Sequence, residues 1–79
     1  MELHVRTAEG TISAVIKGDT AMLLKNKLGQ NMDFDSSFKS YSSMQLDNVL
    51  TYKAVRTSPI TIGDITFKFW ARDYIYVVM

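Results

Sequence analysis

The last six residues, Tyr74-Ile75-Tyr76-Val77-Val78-Met79, carry no charge, no glycine and no proline. No other segment restricts the fold as much. β-Branched and aromatic residues favour extended backbone, and a strand that is apolar on both faces belongs in the middle of a sheet or beneath a cover. Left open, it would be a flat edge on which other chains pair and aggregate. The other residues must therefore supply flanking strands and a covering layer, or a second copy of the chain must do so.

Flanking strands are legible at the N-terminus. Leu3 and Val5 alternate with His4 and Arg6, and after Ala8-Glu9-Gly10 the residues Ile12, Ala14 and Ile16 alternate with Ser13, Val15 and Lys17. Period-two patterns on both sides of a short turn ending in glycine predict a β-hairpin, with Gly10 taking the positive φ. The cover follows directly. Asp19 is placed to cap a helix from Thr20 to Leu28, in which Ala21, Leu24 and Leu28 share one face. Lys25 and Lys27 suit the negative end of its dipole, and Gly29 is expected just past that end as the left-handed C′ residue.

Residues 30–48 are ambiguous. Ser36 to Ser43 is serine-rich, and serine hydroxyls compete for backbone hydrogen bonds outside helices. Phe34, Phe38 and Tyr41 nevertheless fall at i, i+4 and i+7, with Asp35 available as a cap, so the segment reads as a marginal helical turn near 36–44 or as an ordered loop. From Val49 to Arg56 the chain is again rich in strand formers, and Asp47-Asn48 can turn Met44-Gln45-Leu46 back against it. Ser58-Pro59 breaks the run. Ile60 and Ile62, the Gly63-Asp64 pair, and then Ile65, Phe67 and Phe69 suggest further strands before a turn at Ala71-Arg72-Asp73.

The fold class that follows is α+β: a small antiparallel sheet of about four to six strands with one short helix, residues 20–28, packed on one face. A chain of 79 residues can hide about 60–65% of its surface in one core, enough for a single compact domain over 1–79 and too little for two. There is no cysteine, so packing must hold the fold without disulfides, and thiolate metal sites and cysteine nucleophiles are excluded. No apolar run approaches the length of a membrane span and no leader pattern precedes the first strand. The expected setting is soluble and cytoplasmic.

Catalytic chemistry has little to work with. His4 is the sole histidine, with no partner at metal-ligand spacing, and reads as a strand histidine. Asp33 and Asp35 could share a face as paired carboxylates, although turn formation around Phe34 accounts for them more simply. The serines have no histidine nearby to act as base. Gly10, Gly18, Gly29 and Gly63 match no phosphate-binding or dinucleotide pattern. The expectation is a non-enzymatic chain with no cofactor and no metal.

Action by contact is then the leading expectation: a small protein-binding module, probing another protein as an inhibitor or regulator. Accessory proteins of phages or mobile elements are one group needing only a stable scaffold and a binding surface. The expected anchors are Phe34, Phe38 and Tyr41, aromatic rings among small polar residues as in many recognition loops, unless the three rings form a buried helix stripe. An alternative is nucleic-acid binding by Lys53, Arg56, Lys68, Trp70 and Arg72, where basic and aromatic residues interleave. A net charge of +1 gives that reading no general electrostatic support. A third is an oligomeric structural or assembly subunit, with a homodimer formed through a sheet edge.

Overall fold

The structure, a computed structural model, describes residues 1–36 and 50–78. In chain order it contains β1 (Glu2–Arg6), β2 (Ile12–Lys17), α1 (Gly18–Gln30), β3 (Phe34–Asp35), β4 (Leu50–Ala54), β5 (Ile60–Ile62), β6 (Ile65–Phe67) and β7 (Tyr74–Val78). Five strands form an antiparallel sheet in the order β2-β1-β7-β4-β3, and β5 and β6 form a separate two-stranded ribbon. The α+β expectation holds. The possible helical turn near 36–44 and the strand at Met44 to Leu46 fall mostly or wholly on residues 37–49, outside the described ones.

The C-terminal run occupies the centre of the sheet, as its composition demands. On one side Leu3 opposes Val77 and Val5 opposes Ile75; on the other, Leu50 opposes Val77 and Tyr52 opposes Ile75. Because side chains alternate, this register gathers Leu3, Val5, Ile75, Val77, Tyr52 and Ala54 on one face. Ala21, Leu24 and Leu28 of α1 join them in the core, together with Ile60 from the ribbon and Phe69 beyond it. The opposite face of β7 is also buried at Tyr76, where the Arg6 guanidinium lies 5.5 Å from the ring centroid.

Two details of the N-terminal hairpin differ from the simple alternation. Gly10 takes φ +90° as expected, with the Thr7 amide donating to Thr11 O at 2.8 Å and the Gly10 amide to Thr7 O at 2.9 Å. Between Val5 and Arg6, however, the register shifts: Val5 opposes Ala14 while Arg6 opposes Ile12. Ser13 is the extra residue of a β-bulge, and its hydroxyl donates to Val5 O at 3.4 Å. The bulge turns Ile12 onto the Arg6 face, so Ile12 does not share a face with Ala14 and Ile16.

The helix is longer than the 20–28 expectation at both ends. β2 runs straight into it, and Gly18 at φ +69° supplies the sharp change of direction that a side chain would resist. Asp19 lies inside the first turn, where its charge suits the dipole; Lys17 holds the N-cap position without a capping side-chain hydrogen bond. At the other end Gly29 is helical, not the C′ residue. The helix ends at Asn31, whose amide donates to Leu28 O at 3.2 Å and whose Oδ1 accepts the Asp33 amide at 2.9 Å, an Asx-type turn.

A testable consequence follows at Gly29. A Cβ there would meet only the Tyr52 hydroxyl, at an ordinary contact distance of 3.7 Å. Gly29→Ala is therefore expected to stabilise the protein by up to about 0.5 kcal/mol, because helical glycine loses more backbone entropy than alanine and the last turn realises part of that difference. Urea denaturation would register this as a higher midpoint at unchanged slope. A lower midpoint would mean the helix does not continue through this residue.

Candidate functional site

The short connection between Phe69 and β7 is the most tightly organised loop among the described residues. Phe69 turns into the core, where its ring meets Phe34 edge to face at 5.3 Å between centroids. The next four residues then close on themselves. The Trp70 amide donates to the buried Asp73 carboxylate (Oδ2, 2.9 Å) and the Asp73 amide donates back to Trp70 O at 3.0 Å. The turn is also stitched to the end of β4, since Arg72 N–H donates to Ala54 O at 2.8 Å and Ala54 N–H donates to Asp73 O at 2.9 Å. Arg72 adopts φ +75° to complete it, a left-handed conformation costing a non-glycine residue about 1–2 kcal/mol.

This construction holds Trp70 outward. The side chain is 75% exposed, although tryptophan carries the largest apolar surface of any residue. It stands between two clefts. One, of about 190 Å³, has Thr57, Pro59, Lys68 and Phe69 as its other walls. The second, of about 320 Å³, opens between β2 and β6 and is lined by Ala14, Ile16, Phe67 and Phe69 among others. Ala14 and Ile16 face the core side of the sheet, yet among the described residues Ala14 is exposed and Ile16 only half-buried.

A second concave surface runs between α1 and β5, in two adjoining hollows of about 450 and 340 Å³ that share Lys27, Gln30 and Thr61. These polar walls hydrate readily. It contains no aromatic side chain and is the weaker candidate.

The residues singled out from the sequence are dispersed by the fold. Phe34, an expected anchor, is buried: its register opposite Ala54 points the ring into the core, against Phe69. Phe38 and Tyr41 lie outside the described residues. Of the basic and aromatic set, Lys68, Trp70 and Arg72 stay together around the turn, whereas Lys53 opposes Tyr74 and so projects from the sheet face away from α1. Arg56 Nε lies 3.4 Å from Asp33 Oδ1. The strand expected through Phe69 ends earlier, with β6 at Ile65–Phe67, so Lys68 and Trp70 lie beyond it. The signal for a displayed ring was the placement of the sole tryptophan between an inward phenylalanine and a turn.

The other polar candidates make local contacts. His4 Nε2 lies 2.8 Å from Glu2 Oε2, and Lys17 Nζ lies 3.6 Å from Glu2 Oε1. The hydrogen bond from His4, helped by the Lys17 charge, holds the Glu2 carboxyl below its ordinary pKa. Asp33 pairs with Arg56 and its backbone O accepts the Val55 amide at 2.8 Å, while Asp35 opposes Lys53 in the β3–β4 register. Among the described residues no group of three or more His, Cys, Asp or Glu side chains is placed to hold a metal ion. None of the described helices is long and apolar enough to cross a membrane. Comparison of the chain with protein-family models, with curated proteins and with solved structures finds no match.

Proposed function

We propose that this chain is a non-enzymatic protein-binding module, acting as an inhibitor or regulator, with its contact surface centred on Trp70. The observation that carries the reading is a three-quarters exposed tryptophan held by a hydrogen-bonded turn and flanked by clefts. Interface energy concentrates in a few such rings, with tryptophan prominent among them. A rigid turn also lowers the ordering cost of binding.

One observation favours a second reading. Trp70 lies between Lys68 and Arg72 in the chain, an arrangement suited to stacking a base beside phosphate contacts. The displacement of Lys53 to the other sheet face, and the pairing of Arg56 with Asp33, leave that surface smaller than the sequence implied.

Trp70→Ala separates function from folding. Because the ring is largely exposed, the thermal transition should change by no more than about 0.5 kcal/mol in stability terms. Affinity for a partner captured with the wild-type chain should fall at least 30-fold, roughly the 2 kcal/mol of a hot-spot residue. Retained affinity would remove Trp70 from the contact surface. Titration with an oligothymidylate decides the second reading: steeply salt-dependent quenching of Trp70 emission supports it, and unchanged emission rejects it.

A further inference from the structure

We infer that the partner segment is an extended peptide that adds as a strand to the free edge of β2 and places alternate apolar side chains in the cleft beneath Trp70. This deepens the proposal above and rests on it. Among the described residues β2 pairs only with β1, so none of them pairs with the amide and carbonyl groups of its other edge. Natural proteins usually protect such edges with charge, proline or a cover. Here the regular stretch Ala14-Val15-Ile16-Lys17 has one charge, at its end, and no proline.

The cleft lies on the same side of the strand as the unmet apolar surface. Ala14 and Ile16 form its β2 wall, Phe67 and Phe69 the facing one, and Trp70 its rim. A strand laid along β2 would direct every second side chain toward that space while its main chain satisfies the edge, the division of labour seen in strand-addition recognition. Lys68 also lines the cleft and has no ion-pair partner among the described residues. A carboxylate beside the apolar positions of the peptide would complement it.

A second copy of this chain fits the edge less well. Two-fold pairing of β2 with itself needs a straight, self-complementary strand. The bulge at Ser13 limits the regular stretch to Ala14–Lys17, and two-fold pairing centred on Val15 would set Lys17 against the bulged Ser13 of the other copy. It would also bring no carboxylate to Lys68, since Ile12–Lys17 contains none.

The sole tryptophan provides the readout. The probes are octapeptides alternating Val, Leu or Phe with Thr and ending in Glu, with controls of equal composition in which the apolar residues are grouped in one block. The alternating peptides should shift Trp70 emission to shorter wavelength; the block controls should not. N-methylation at alternate peptide positions should abolish binding in one parity and spare it in the other, because only one set of amides faces β2. Lys68→Glu should reverse a preference for Glu-ended over Lys-ended peptides, by up to about fivefold in affinity. Equal binding by block controls, or equal effects of both N-methyl parities, overturns strand addition while leaving the Trp70→Ala capture result to stand or fall by itself. An emission shift that instead tracks protein concentration, with doubled mass, makes a second copy the occupant and overturns the peptide. Absence of binding by every alternating peptide at millimolar concentration overturns it too.

Discussion

A chain lacking residues 75–79 is expected not to fold. β7 is the strand that joins β1 to β4, so its loss separates the N-terminal hairpin from β4 and β3. Neither fragment is a viable sheet, since two-stranded pieces are marginal in water without a third strand or further packing. Ile75 and Val77 are at most 1% exposed, and each contributes about 1.5–3 kcal/mol through burial. A domain of this length has only about 4–12 kcal/mol of total stability. The truncated chain should lose near-ultraviolet circular dichroism, NMR dispersion and any cooperative urea transition. A full-length Ile75→Ala variant, expected to fold with a loss of about 2–5 kcal/mol, guards against an effect of truncation on expression alone. A truncated chain that unfolds cooperatively would show that the sheet closes without β7.

The same strand shows why part of the fold was readable from sequence. An uncharged run of β-formers leaves few positions in which it can be stable, so its central placement follows from composition. The inward face of α1 was equally plain, because Ala21, Leu24 and Leu28 repeat at helical spacing. Helix ends were less legible. Gly18 and Gly29 are alike in sequence, yet one turns the chain at positive φ and the other sits in the last helical turn. What separates them is the end of β2 on one side and the Asn31 side-chain turn on the other, both properties of the neighbouring backbone.

Site residues were harder still, because display or burial of a ring depends on register. The sequence leaves both Phe34 and Trp70 open between display and burial. Opposition to Ala54 sends Phe34 inward, where Phe69 meets it, and Phe69 in turn leaves Trp70 outside. Nothing in local composition fixes that β3–β4 register. The bulge at Ser13 is similar: one extra residue reassigns Ile12 to the other face, and the alternation on either side of it looks unbroken in the sequence.

The second large effect is expected at Leu24. Its side chain is fully inaccessible and lies in the cluster with Leu28, Leu3 and Ile75, so the strands hold the space it fills and cannot collapse onto alanine at the site. Leu24→Ala should cost about 2–5 kcal/mol, the sum of lost transfer energy and a residual cavity. The adjacent positions provide the control. Leu23 is 51% exposed, and Leu23→Ala should cost well under 1 kcal/mol of buried area, while Lys25→Ala should stay within about 0.5 kcal/mol. The order Leu24 far above Leu23, with Lys25 near zero, tests helix rotation to within one residue, because turning α1 by one position would exchange the two leucines. Urea midpoints for the three variants measure it directly. Equal losses at Leu23 and Leu24 would require a second surface over the outer side of the helix, and the groove between α1 and β5, which Leu23 lines, would then be a contact face in its own right.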